Sequence, residues 1–192
     1  MSPTLICDAS VRPRATDPVF LMLRPERKAA EKMRQLAWDL HAEHQLTGTP
    51  LAPERLHVTL FLLCLYRQLS NALLAALDTV AASMVIQRFL LGFDRVESFR
   101  HENERPLVLR GNDDTLIGAR MLHTELIAGL RGVGVWRLRP SFTPHITLLY
   151  DPRDIGIQPI EEIRWIVRDF ILVCSLRGRH QHKVLARWRL SG

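Results

Sequence analysis

Two hydrophobic periods alternate along the chain. Apolar residues fill Pro18 to Leu23 and stop at Arg24-Pro25, where proline holds the preceding residue in extended geometry, so a short strand is predicted there. The spacing then changes to three- and four-residue steps: Ala29, Met33, Leu36, Ala37 and Leu40 mark one face of a helix, closed off by Gly48 and Pro50. Leu56 to Leu65 reads as a strand, and Leu73, Leu74, Leu77, Val80 and Ala81 as a second helix. Arg88 to Glu97 and Pro106 to Arg110 are two strands placed to pair as a hairpin across the charged turn His101 to Arg105. Asp113-Asp114-Thr115 opens a third helix, its acids at the positive end of the dipole. Its apolar face runs through Leu116, Ala119, Leu122, Leu126, Ile127 and Leu130 until Gly132 and Gly134 stop it. Ser141 to Tyr150, Ile163 to Leu176 and Lys183 to Leu190 complete the pattern as three more strands.

Strand, helix, strand thus occurs once in each half, with hairpins between. The order predicts an α+β fold with a largely antiparallel sheet, arranged as a pseudo-twofold pair of lobes. With 192 residues, 47% of them hydrophobic, the chain is long enough for one core shared by two lobes and too short for two ordinary domains. We read residues 1–16 as a loose tail and 17–192 as a single bilobal domain. The excess of 26 Lys and Arg over 20 Asp and Glu, a formal charge of +6, favours a polyanionic partner. Arg177, Arg179, His180, His182, Lys183, Arg187 and Arg189 concentrate that charge, either as a phosphate-binding surface or as a solvated strand edge.

The cysteines, Cys7, Cys64 and Cys174, are odd in number and unpaired in spacing, which supports neither a disulfide framework nor a zinc ribbon and points to a reducing cytoplasm. The N-terminal residues lack the apolar core of a secretory signal, and no apolar run approaches the roughly 20 residues that cross a bilayer. The expectation is a soluble cytoplasmic protein, monomeric by default.

The chemistry lies in His57-Val58-Thr59-Leu60 and His145-Ile146-Thr147-Leu148. On a strand, alternate side chains share a face, so each segment offers an imidazole and a hydroxyl to one surface and two apolar groups to the core. One His-x-Thr on an apolar strand is commonplace; two, matching over four positions and lying in corresponding halves, mark a site. Two imidazoles suit displacement at phosphorus, one taking a proton from the attacking oxygen and the other giving one to the leaving oxygen, because their ordinary pKa of about 6.5 allows both states near neutrality. Threonine hydroxyls at Thr59 and Thr147 can donate to the non-bridging oxygens as charge builds. Neither a metal nor a cofactor is called for.

The two motifs, with Arg55 to Leu60, Phe142 to Leu148, Phe170 to Ser175 and Leu185 to Leu190, resemble the bacterial 2′-5′ RNA ligase branch of the 2H phosphoesterases from about Pro18 to the end. The resemblance implies a bilobal fold of two largely antiparallel sheets, flanked by helices around a central cleft. It implies metal-independent hydrolysis of RNA 2′,3′-cyclic phosphates to 2′-phosphates, with 2′-5′ joining as related chemistry. It also implies His57 as the acid for the leaving 3′ oxygen and His145 as the base that activates water. Two departures stand out: Leu63-Cys64-Leu65 where relatives often carry glycine, and Tyr150 where many carry arginine. Phosphate gripping would then fall to Arg177 or Arg179, with Phe142 and Tyr150 as candidate base-stacking or phosphate contacts; for Phe142 a core role is the stronger expectation. A binding module without turnover, or a phosphodiesterase acting on 2′-5′ oligonucleotides or on an ADP-ribose cyclic phosphate, fits the same residues.

Among the other residues, His41, His44, His101 and His123 lack metal-ligand spacing and read as surface or packing groups. His180 and His182 read as a solvated polar face, since nearby Arg and Lys oppose a cation. The four tryptophans, Trp38, Trp136, Trp165 and Trp188, read as packing for the lobes.

Overall fold

A computed structural model describes residues 12–99, 105–139, 141–179 and 181–192. Cys7, His101 and His180, along with most of the predicted tail and of the turn after Phe99, lie outside the described residues. Eight strands and three helices follow in the order β1 (Pro18–Leu23), α1 (Arg27–Glu43), β2 (Val58–Leu65), α2 (Asn71–Ser83), β3 (Phe89–Ser98), β4 (Arg105–Arg110), α3 (Asp113–Gly132), β5 (Ile146–Asp151), β6 (Gln158–Val167), β7 (Asp169–Leu176) and β8 (Gln181–Arg189). Two four-stranded sheets result, ordered β2-β1-β7-β8 and β5-β4-β3-β6, and every strand pairing within them is antiparallel. The fold is α+β, as expected, with the predicted hairpin formed by β3 and β4.

Local chemistry sets the helix ends. The Ser70 hydroxyl accepts from Leu73 N at 3.1 Å and the Asn112 side chain from Thr115 N at 2.9 Å. Each such cap is worth about 1 kcal/mol because it satisfies an amide that has no intrahelical acceptor. The α3 face through Leu116, Ala119, Leu122, Leu126 and Leu130 is fully buried in one core that also takes Leu21 and Leu23 of β1, Phe93 of β3 and Leu107 and Leu109 of β4. Burying each Leu or Phe side chain contributes about 1.5–3 kcal/mol.

Strand β1 is buried on both faces. Val19, Leu21 and Leu23 enter that main core, while Phe20 and Met22 join Ile171 and Val173 of β7 in a second apolar cluster on the other face. This double burial explains why Pro18 to Leu23 shows no polar alternation.

One predicted element divides. Ile163 to Leu176 is not a single strand: it breaks at Arg168, β6 ending in one sheet and β7 beginning in the other. Trp165 and Val167 on one side of the break and Phe170 and Leu172 on the other are all buried, so hydrophobicity continues through a point where the chain changes sheets. Strand β6 also begins earlier than expected, at Gln158.

The motif strands occupy equivalent places, β2 at one edge of its sheet and β5 at one edge of the other. Their registers correspond as well: Thr59 faces Met22 and Thr147 faces Val108, and the ladders end at Leu23 with Val58 and at Leu109 with Ile146. Both histidines therefore stand just before the first ladder residue of their strand.

Candidate active site

The alternation predicted at each motif is observed. Val58, Leu60, Ile146 and Leu148 are buried, whereas His57, Thr59, His145 and Thr147 are half-buried on the opposite face. Each imidazole is fixed by the same local bond. His57 Nδ1 donates to the Arg55 carbonyl at 2.6 Å and His145 Nδ1 to the Thr143 carbonyl at 2.7 Å. A carbonyl can only accept, so the bond places the proton on Nδ1 and leaves Nε2 of both rings for chemistry.

Each motif contributes to one cleft, Thr59 and Leu60 from the first and His145 from the second. His57 and Thr147 are not among its lining residues, although the charge of His145 is felt at His57. Thr59 to Leu63 of β2 and Ser141, Phe142, Thr143 and His145 of the β5 approach line a cavity of about 420 Å³, with Arg137 and Arg139 from the α3–β5 loop on its wall. A larger groove of about 770 Å³, between α1 and Ala52 to Glu54, holds no motif residue.

Aromatic rings and arginines repeat around the two histidines. Phe20 lies 5.5 Å from the His57 ring and Phe99 lies 4.9 Å from that of His145. Arg24 follows the last ladder residue of β1, and Arg110 that of β4, placing one arginine beside each histidine. Arg110 also lies over the Phe99 ring at 5.4 Å and pairs with Glu97 at 3.5 Å. The Nε atoms of Arg24, Arg55 and Arg110 are buried without an acceptor close to the two histidines, where an anion would supply one.

Burial pushes the pKa of both histidines below 6.5. The Arg55 carbonyl partly opposes the fall at His57, while Arg24, His145 and Arg55 add to it. At His145 the Thr143 carbonyl opposes and Arg110 adds. A charge on His145 adds a further, smaller penalty to a charge on His57.

The remaining predicted contacts divide. Phe142 lines the cleft, and its ring stacks on buried His123 at 4.5 Å and packs against the core, the role expected more strongly from the sequence. Tyr150 is exposed at the end of β5 and outside the cleft lining; its carbonyl oxygen lies so close to Gly48 that a Cβ there would collide with it. Arg177 and Arg179 sit in the exposed β7–β8 turn, again outside that lining, and Arg177 N donates to Asp17 at 3.3 Å. His182 is not part of a solvated face: its ring meets that of His57 at 4.9 Å. Trp165 and Trp188 pack as expected, but Trp38 and Trp136 do not, Trp136 being 71% exposed. Among the described residues no group of three or more His, Cys, Asp or Glu side chains is placed to hold a metal ion. No helix of the described residues is long and apolar enough to cross a membrane.

The sequence reading missed Phe20, Phe99, Arg24, Arg55, Arg110, Arg137, Arg139 and the position of His182. A signal for two of them was present. Leu21-Met22-Leu23-Arg24 and Leu107-Val108-Leu109-Arg110 form a second repeat, parallel to that of the histidines.

Two antiparallel sheets each carry a His-x-Thr strand at one edge. The sequence profile of the 2′-5′ RNA ligase superfamily matches residues 24–178, and the chain belongs to that family, the 2H phosphoesterases. Among solved structures, Escherichia coli LigT complexed with 3′-AMP is 25% identical with a TM-score of 0.68, covering 92% of this chain and 99% of its own. TT0787 of Thermus thermophilus is 18% identical with a TM-score of 0.72, covering 91% and 98%. The PDE domain of MHV ns2 is more distant, at 17% identity and a TM-score of 0.52, covering 79% and 97%. No curated protein sequence matches the chain.

Proposed function

We propose that the chain hydrolyses 2′,3′-cyclic phosphate ends of RNA to 2′-phosphates, with His57 and His145 as the acid–base pair. The observation that carries this reading is the matched tethering of both rings through Nδ1, at 2.6 and 2.7 Å, which leaves two Nε2 atoms to move one proton each. In the forward direction a neutral His145 takes the proton of a water whose oxygen attacks phosphorus. Protonated His57 delivers its proton to the 3′ oxygen as the P–O3′ bond breaks. The two rings then hold the opposite protonation states and reset by exchange with solvent. Thr59 and Thr147 donate to the non-bridging oxygens, and the open Nε donors of Arg24 and Arg110 favour an anion between them. This assignment follows the resemblance; 2′-5′ joining results when the 5′-hydroxyl of a second RNA replaces water as the nucleophile, with O3′ again leaving.

A nucleotide substrate is supported by the LigT structures with 3′-AMP and NADP+. RNA in particular is supported by Arg137 and Arg139 at the cleft and by exposed Trp136 between those basic residues and the end of α3, where a base could stack. Assay of a nucleoside 2′,3′-cyclic phosphate in the presence of chelator tests the reading. The wild type should release the 2′-phosphate, and His57→Ala or His145→Ala should each lose about 10²- to 10⁴-fold in kcat. Full activity in both variants would refute it, and release of the 3′-phosphate would refute the assigned direction of opening.

A further inference from the structure

We propose that His182 is a positioning residue for His57, a third imidazole that holds the reactive ring in line without taking part in proton transfer. The inference rests on the acid–base role given to His57 above. His57 and His182 come from opposite edges of the first sheet, one just before β2 and the other on β8, with β1 and β7 between them. Their rings meet over Phe20 of β1. The centroids are 4.9 Å apart for His57 and His182 and 5.5 Å from Phe20 to each, forming a closed triangle. His182 meets His57 at 89° and Phe20 at 90°, while Phe20 is tilted 30° to His57.

The geometry answers a mechanical need. His57 is tied through one atom, Nδ1, so its ring can still turn about its side-chain bonds. Phe20 limits that turning on one side and the edge of His182 on another, which confines the direction of Nε2. Register places His182 opposite Ser175 and Val184 opposite Val173, and Val184 packs on the Phe20 cluster, so β8 brings its alternate side chains to the face His57 occupies.

His182 also has to stay uncharged. Around it stand His57, Arg24 and Arg55, with Lys183 next in the chain and His145 beyond His57. Burial, helped by the charges of His57, Arg24 and Arg55, lowers the pKa of His182 to about 3. Its Nδ1 is buried without a partner, so the ring acts as a neutral wall. A cation at this place would oppose the proton that His57 must carry.

The test compares His182→Ala, which removes the wall, with His182→Phe, which keeps a ring and discards both nitrogens. Turnover of a nucleoside 2′,3′-cyclic phosphate is measured alongside NMR titration of the His57 imidazole in each protein. His182→Ala should lower kcat about tenfold or more with little change in KM, since a misaligned catalytic group costs rate more than binding. It should also raise the pKa of His57 toward the ordinary 6.5, because water reaches the ring. His182→Phe should restore both. Wild-type kcat and an unmoved His57 titration in His182→Ala would overturn the proposal, as would loss of rate in both variants with His57 titrating as in the wild type. If the wild type cleaves no cyclic phosphate, the functional reading fails, and the titration still decides the positioning: a His57 pKa equal in all three proteins overturns it.

Discussion

Asp151 closes the end of β5, and its removal should weaken both the fold and the alignment of the two histidines. Its carboxylate is 2% exposed and accepts four bonds: Thr47 N at 2.6 Å, Thr47 Oγ1 at 3.0 Å, Gly48 N at 2.8 Å and Arg153 N at 2.9 Å. These bonds pin the segment after α1 onto β5, and Leu51 N extends the attachment by donating to Leu148 O at 2.8 Å. The segment continues through the short turn Pro53–Arg55, whose last carbonyl holds His57. A residue at the end of one motif strand thereby helps locate the histidine of the other.

Hydrogen bonds to a charged group contribute about 1.5–3 kcal/mol each, and four that share one carboxylate do not add. After the cost of desolvating the carboxylate, Asp151→Ala should cost about 3–5 kcal/mol at pH 7. Desolvation raises the pKa of Asp151, but the bonds from Arg153, Gly48 and Thr47 outweigh it, so the net value lies below 3.8. The stabilisation is therefore present above the unfolded carboxylate value of about 3.9 and is lost as pH falls through the lower folded value. Urea denaturation of wild type and Asp151→Ala at pH 7 and at several values below 4 measures the difference. A cost under about 1 kcal/mol at pH 7, or a gap that does not narrow in acid, would show that the carboxylate does not carry the junction.

Two further predictions concern the site itself. Because both histidines titrate below 6.5 in the free protein, kcat/KM should peak below pH 6.5, while bound phosphate anion raises both values and moves the kcat profile to the alkaline side. An optimum of kcat/KM well above neutrality would contradict this order. Replacing Trp136 with Ala and Arg137 and Arg139 with Gln should raise KM about tenfold for an oligonucleotide substrate and less for a mononucleotide, on the proposal that these side chains meet nucleotides flanking the scissile phosphate. The salt dependence of oligonucleotide binding should then fall by about 1.4 in log–log slope, for two lost phosphate contacts; equal effects on both substrates would point to damage within the cleft.

Much of the site was legible because its signal is local. A pleated strand alternates its side chains whatever surrounds it, so His-x-Thr on an apolar run already implied an imidazole and a hydroxyl on one face, and two copies implied a shared site. The helices were legible for the same reason, their buried faces recurring at three- and four-residue steps. Register and sheet order are not local. Arg24 and Arg110 end matching Leu-x-Leu-Arg segments, yet only the ladders of β1 with β2 and β4 with β5 place them beside histidines. Tyr150 lies near His145 in the chain, but the exposed end of β5 carries it outside the cleft lining.

By itself, then, the sequence determined the α+β class, most of the element boundaries and the face that histidine and threonine share on each motif strand, since each depends on side-chain periodicity within a few residues. Only the tertiary structure decided that Ile163 to Leu176 serves two sheets, that Phe142 both stacks on His123 and walls the cleft, and that His182 crosses a whole sheet to meet His57. Those outcomes depend on which strands pair and how their faces close over one another, and such contacts join residues that no local pattern connects.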